Sequence, residues 1–99
     1  MNSHREERLR GRVADLERWL ADQAQEFTLE RETDFDTDDR VWKVKNAEEV
    51  VAGTLRVTEG ALDGRRDLKA DLKRQNWLEQ VKLHKRCTLR SDGVLEPGE

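Results

Sequence analysis

Between Arg5 and Phe27 the chain reads REERLRGRVADLERWLADQAQEF, and Leu9, Val13, Leu16, Leu20, Gln23 and Phe27 recur at steps of 4, 3, 4, 3 and 4. That spacing places them on one stripe of a helix and fits a coiled-coil heptad, with Val13, Leu20 and Phe27 at a and Leu9, Leu16 and Gln23 at d. Arg12 at g and Glu17 at the following e have opposite signs, as pairing helices prefer, whereas Arg5 and Arg10 do not. Ser3 followed by Glu6 suggests a capping box, so the helix is expected to begin near His4. Gly11 costs roughly 1 kcal/mol relative to alanine inside a helix, and a segment of this length is marginal alone in water. The stripe therefore needs cover, from the chain's own domain, from a second copy, or from a partner's groove. The expected oligomer interface is Leu9, Val13, Leu16, Leu20 and Phe27. Trp19, at g, widens the apolar face toward three or more helices, while valine at a and leucine at d favour dimers.

Cover from outside suits the composition. Of 99 residues, 34% are hydrophobic and 41% charged, and so short a chain buries only about 60 to 65 per cent of its unfolded surface. Such a balance fits long helices, disorder, or a protein that completes its core with a partner. No apolar run approaches the roughly 18 residues of a membrane span, and the start MNSHREERLRGR has no apolar signal region; the expectation is cytoplasmic synthesis and no membrane. Cys87 is the only cysteine, which excludes an intrachain disulfide and reads as an ordinary small side chain.

Charge is distributed in two blocks. From Glu26 to Asp39 there are seven acids and one base; from Arg65 to Arg90 there are nine bases and three acids. The first block contains TDFDTDDR, residues 33 to 40, whose Asp34, Asp36 and Asp38 match the first three ligand positions of a calcium loop. Position 6 is then Asp39 where a glycine is needed, and position 12 is Lys45 where a glutamate is needed, so the pattern fails. Residues 29 to 40 read instead as an acidic connector that docks on basic residues of the same or a neighbouring chain. His84 and Cys87 supply two ligands where structural zinc needs four, so no metal and no cofactor is expected.

Around and beyond the acidic stretch the period changes to two. FTLER alternates Phe27, Leu29 and Arg31, VWKVK puts Trp42 and Val44 on one face, VVAGTLRVTE puts Val51, Gly53, Leu55 and Val57 on another, and VKLHKRCTL alternates from Val81 to Leu89. These segments read as short strands. Asp92-Gly93 reads as a hairpin turn. Residues 66 to 80 stay open between helix and strand, because Leu68, Ala70 and Leu72 satisfy both patterns. The fold class is α+β: an amphipathic or coiled-coil helix over 1–28, the connector over 29–40, a small β-rich region over 41–95 anchored by Trp42 and Trp77, and a tail over 96–99.

The stretch AGTLRVTEGALDG, with leucines recurring about every six residues behind leading heptads, resembles the Gly-x-Leu-x-Val segments of virion fibre and tail-tip proteins. The resemblance covers residues 50 to 64 and the N-terminal heptads. It implies a homo-oligomeric, trimeric virion component without catalytic activity. The residues themselves supply no catalytic triad, nucleophile elbow, phosphate loop or dinucleotide fingerprint. The reading is therefore a non-enzymatic structural or assembly protein of fibre, tail or connector type, whose partners are copies of itself and other proteins. The alternative is a small nucleic-acid-binding or regulatory protein. It would use Arg65, Arg66, Lys69, Lys73, Arg74, Lys82, Lys85 and Arg86 against phosphates, with Trp77 stacking on a base. Asp67, Asp71 and Glu79 interleave with those bases, which favours a solvated or acid-paired face.

Overall fold

The computed structural model describes residues 3–98; the Ser3 side chain, and with it the capping box, lies outside the described part. A first helix, α1 (Ser3–Gln23), is followed by a three-stranded meander, β1 (Thr28–Asp34), β2 (Asp39–Lys45) and β3 (Val51–Val57). The chain then crosses over through α2 (Glu59–Asp63), α3 (Leu68–Arg74) and α4 (Trp77–His84) and ends in the hairpin β4 (Arg86–Leu89) and β5 (Leu95–Pro97). The sheet has the order β1-β2-β3-β4-β5, antiparallel throughout except for the parallel β3–β4 pair that the crossover creates. The fold is α+β, as the change of period implied.

The stripe of α1 is covered within the chain. Leu9, Val13, Leu16 and Leu20 are buried in one apolar cluster with Trp42, Val44, Leu55 and Val57 of the sheet and Leu62, Leu72 and Val81 of the crossover. Each such side chain contributes about 1.5–3 kcal/mol by leaving water. The expected oligomer interface is thus corrected: those leucines and Val13 are core, and Phe27 is half-buried beyond the helix end. Gln23 is exposed and Ala24 takes the inward position, so the heptad register stops one turn early. The flanking charges are used internally too, Glu17 pairing with Arg31 of β1 at 3.0 Å and Arg12 donating to the carbonyl of Arg66 at 3.3 Å.

Residues 29–40 are a strand and a tight turn, which corrects the connector. In β1 the residues Leu29, Arg31 and Thr33 share the face of Val44, Trp42 and Arg40, while Glu30, Glu32 and Asp34 point to the other side of the sheet. Acids confined to one face are neutralised by neighbours on β2 and β3, Lys45 reaching Glu30 at 3.2 Å and Lys43 reaching Glu32 at 2.9 Å. The aspartates build the turn. The Asp38 amide donates to the Asp34 carbonyl (2.6 Å), the Asp36 amide to Asp34 Oδ1 (3.0 Å), and Asp38 takes the left-handed conformation (φ 62°) that aspartate tolerates.

The 41–95 region also holds three helices, so β-rich is corrected to mixed. Thr58 and Asp67 cap α2 and α3, accepting from Ala61 N and Ala70 N at 3.1 Å each. Residues 66–80 are helical in two pieces, broken where Asn76 turns left-handed (φ 56°). The alternation expected from Val81 holds only from Arg86, because Val81–His84 closes α4 and Lys85 (φ 70°) redirects the chain into β4. The Asp92-Gly93 turn is present, with Gly93 at φ 86° and the Arg90 amide donating to the Val94 carbonyl at 2.9 Å. The tail contributes Glu96 and Pro97 to β5.

β3 faces the helices through Gly53, Leu55 and Val57, all buried, as its alternation predicts. Gly53 is where α4 comes closest: a Cβ there would lie 2.5 Å from Val81 Cγ1 and 2.9 Å from the Val81 carbonyl carbon. Trp42 and Trp77 are both buried anchors. The Nε1 of Trp42 is buried without an acceptor among the described residues, a loss of about 1–3 kcal/mol that its ring burial offsets.

Candidate interaction sites

The basic block is largely consumed inside the molecule. Asp71, buried on α3, takes Arg66 in a two-pronged contact (2.9 and 3.0 Å) and Arg74 at 3.1 Å. Arg66 holds the Asp71 carboxyl below its ordinary value, against the opposing effect of burial and with Arg74 adding to it. Lys69 reaches Asp15 of α1 at 2.6 Å, and Lys82 reaches Glu79 at 2.9 Å. Lys85 Nζ donates to the Ala52 carbonyl at 3.5 Å, and Arg86 is engaged as well. Arg65 and Lys73 have no ion pair among the described residues. These residues are spread over α3, α4, β4 and the intervening loops. Trp77, the expected stacking ring, is 3% exposed and offers no face to a base.

Among the described residues the acidic block finds its ion-pair partners on β2 and β3. Arg56 of β3 lies between Asp34 (3.0 Å) and Asp39 (2.9 Å), and Asp39 Oδ1 also accepts from the Glu59 amide at the start of α2 (2.9 Å). Arg56 holds the Asp34 carboxyl low, assisted by the Asp36 amide. These groups tie the first hairpin to the crossover. Among the described residues no group of three or more His, Cys, Asp or Glu side chains is arranged to hold a metal ion. His84 is exposed at the end of α4, whereas Cys87 is buried in β4, where burial pushes its thiol up.

Two places present side chains to a partner or ligand, at opposite ends of the sheet. At the end where β1 starts and β2 finishes, Leu83 (70% exposed), Val50 (59%) and Val51 (45%) lie open. Near them a groove of about 490 Å³ between the end of α1 and α4 is lined by half-buried Phe27 and Leu78, with Asp22, Glu26 and Lys82 around it. Lys82 Nζ lies 5.8 Å from the Phe27 ring centroid, within cation–π range.

At the other end a groove of about 420 Å³ opens between α1, the β1–β2 hairpin and α2. Leu9, Val13 and Leu62 line it, and Arg5 and Arg10 of α1, Arg31 of β1 and Arg40 of β2 converge on it. Glu6, Asp38 and Glu59 are the acids present, so four arginines meet three carboxylates. Arg5 is bound to Glu59 and Asp63, and Arg31 to Glu17. Arg40 donates to the backbone carbonyl of Asp38 (2.6 Å), and neither Arg40 nor Arg10 has a carboxylate partner among the described residues. Both ends were missed in the sequence, because their residues are brought together only by the sheet.

No helix among the described residues is long and apolar enough to cross a membrane. No protein-family model, curated protein or solved structure matches the chain.

Proposed function

We propose that this chain is a non-enzymatic assembly protein, a homo-oligomeric component of a larger complex, and that it self-associates through the apolar end of its sheet. The observation that carries the reading is that Leu83, Val50 and Val51, three of the five exposed large apolar side chains among the described residues, lie at that end of the sheet. Exposed apolar side chains gathered in one place, unlike scattered ones, mark interaction sites. A second copy is the occupant that the charges favour. Asp22, Glu26, Glu48 and Glu49 lie on the α1 end and the β2–β3 turn, and Lys82 and Lys85 lie on α4 and just after it. A two-fold axis through the patch would bring the acids of one copy towards the bases of the other, as a self-complementary interface requires.

A fibre, tail or connector role in a virion belongs to this proposal as the role the resemblance implies. Residues 50–64, which carry that resemblance, form β3 and α2. The test is native mass by light scattering over a range of concentration. The wild type is expected at a multiple of 11.6 kDa, and Val51→Glu with Leu83→Glu at the single-chain mass. A wild type that stays at the single-chain mass at every concentration refutes self-association.

A further inference from the structure

We infer that the arginine-lined groove between α1, the first hairpin and α2 is a binding site for an oxyanion, a carboxylate or a phosphate. Arg10 comes from α1 and Arg40 from β2, so helix and sheet each contribute a guanidinium. A guanidinium carries five N–H donors in a planar fork suited to two oxygens at once. Arg40 spends one donor on the Asp38 carbonyl, which fixes its position while leaving its charge unneutralised by any pairing. Arg5 and Arg31 are held by Glu59, Asp63 and Glu17 and add positive field without needing to move.

The lining limits the ligand's charge. Leu9, Val13 and Leu62 behind the arginines are core residues, 8%, 3% and 1% exposed, and offer a ligand almost no surface, so recognition rests on the guanidinium groups. Glu6 and Asp38 also face the groove and repel a highly charged anion. The fitting ligand therefore bears a single acidic group. The site lies at the end of the sheet remote from the self-association patch, so the two proposals stand or fall separately.

The test is an NMR titration of the full chain at low salt with benzoate and with phenyl phosphate, using benzamide as the uncharged control. Saturable shifts at the side-chain Nε–Hε signals of Arg10 and Arg40 are expected with the acids and not with benzamide. The stronger of the two acids identifies carboxylate or phosphate as the natural group. Arg10→Gln with Arg40→Gln is expected to weaken binding by about tenfold or more, the loss of a bidentate charged contact. Arg10 is exposed and Arg40 half-buried, and dispersed amide signals verify that the variant is folded. Arg10→Lys with Arg40→Lys, which keeps charge and loses the fork, is expected to fall between the two. The inference is overturned by the wild type alone if neither acid gives saturable shifts, or if benzamide binds as well. Undiminished binding by the glutamine variant also overturns it.

Discussion

Replacing Gly53 by alanine adds one methyl group at the point where β3 and α4 meet. An ideal Cβ at that position lies 2.5 Å from Val81 Cγ1 and 2.9 Å from the Val81 carbonyl carbon, whereas ordinary contacts begin near 3.4 Å. A rotation of the valine side chain relieves the first clash and not the second, because the carbonyl belongs to the backbone of α4. The helix must therefore withdraw by roughly half an ångström or more, loosening Val81 and Trp77, which are buried on it. Overpacking of this kind costs about 1–3 kcal/mol, and the backbone contact places Gly53→Ala at the upper part of that range. Alanine also restricts the unfolded chain, which returns about 0.4–1 kcal/mol. The net loss is about 2 kcal/mol, out of about 5–15 kcal/mol for a domain of this size. Thermal melting followed by far-ultraviolet circular dichroism should show a Tm lower by about 8–16 °C. Val81→Ala in the same chain should recover part of the loss, read as a favourable coupling energy in a double-mutant cycle. A Gly53→Ala protein that melts within a degree of the wild type would refute the close approach of α4 to β3.

The remaining predictions use single groups. Asp71→Asn should cost about 1–3 kcal/mol at neutral pH, because a buried carboxylate loses its charged contacts with two arginines that reach water. Asp71, Asp34 and Asp15 are held low by Arg66, Arg56 and Lys69 respectively, so their stabilisation is fully present above their unfolded values near 3.8 and is lost as pH falls through the lower folded values. Tm should accordingly be level above about pH 5 and decline below about pH 4; the Asp71→Asn variant should decline less, and an identical slope would exclude Asp71 as a contributor. Cys87, 2% exposed with its thiol pushed up by burial, should react with an aromatic disulfide reagent only as fast as the protein opens; immediate reaction of the native protein would contradict its placement in β4.

How far the sequence could be read depended on whether a residue's partner lay nearby in the chain. The stripe from Leu9 to Leu20 announces a helix by period alone. What covers it is a property of the sheet, and the same spacing that fits a partner helix fits Trp42, Val44 and Leu55. β3 was legible because Val51, Gly53, Leu55 and Val57 alternate with polar residues. β1 was legible only at its start, where Phe27, Leu29 and Arg31 alternate, because beyond Leu29 its helix-facing side has only Arg31 and Thr33. A signal did exist: Glu30 and Glu32 alternate, as do Lys43 and Lys45 one hairpin later, and opposite charges at matched steps predict a cross-strand ladder. In the crossover, Asp67 is a cap ahead of Leu68 and Leu72, and the break at Asn76 hides the period by cutting α3 and α4 to 7 and 8 residues. The arginine groove had no local signature, since residues 5, 10, 31 and 40 come from three elements.

The pairing of β1 also determines how the sheet can grow. β1 is one edge, and an antiparallel match with its counterpart in another copy, centred on Arg31, would set Arg31 against Arg31 and Glu30 against Glu32. Like charges facing each other across strands are repulsive. The other edge, β5, is 3 residues long and includes Pro97, which has no N–H to offer. Both borders therefore resist backbone-to-backbone extension, the usual route to open-ended aggregates. Copies that join in the proposed way would do so by side chains, and a two-fold contact would then end growth at a fixed number of subunits.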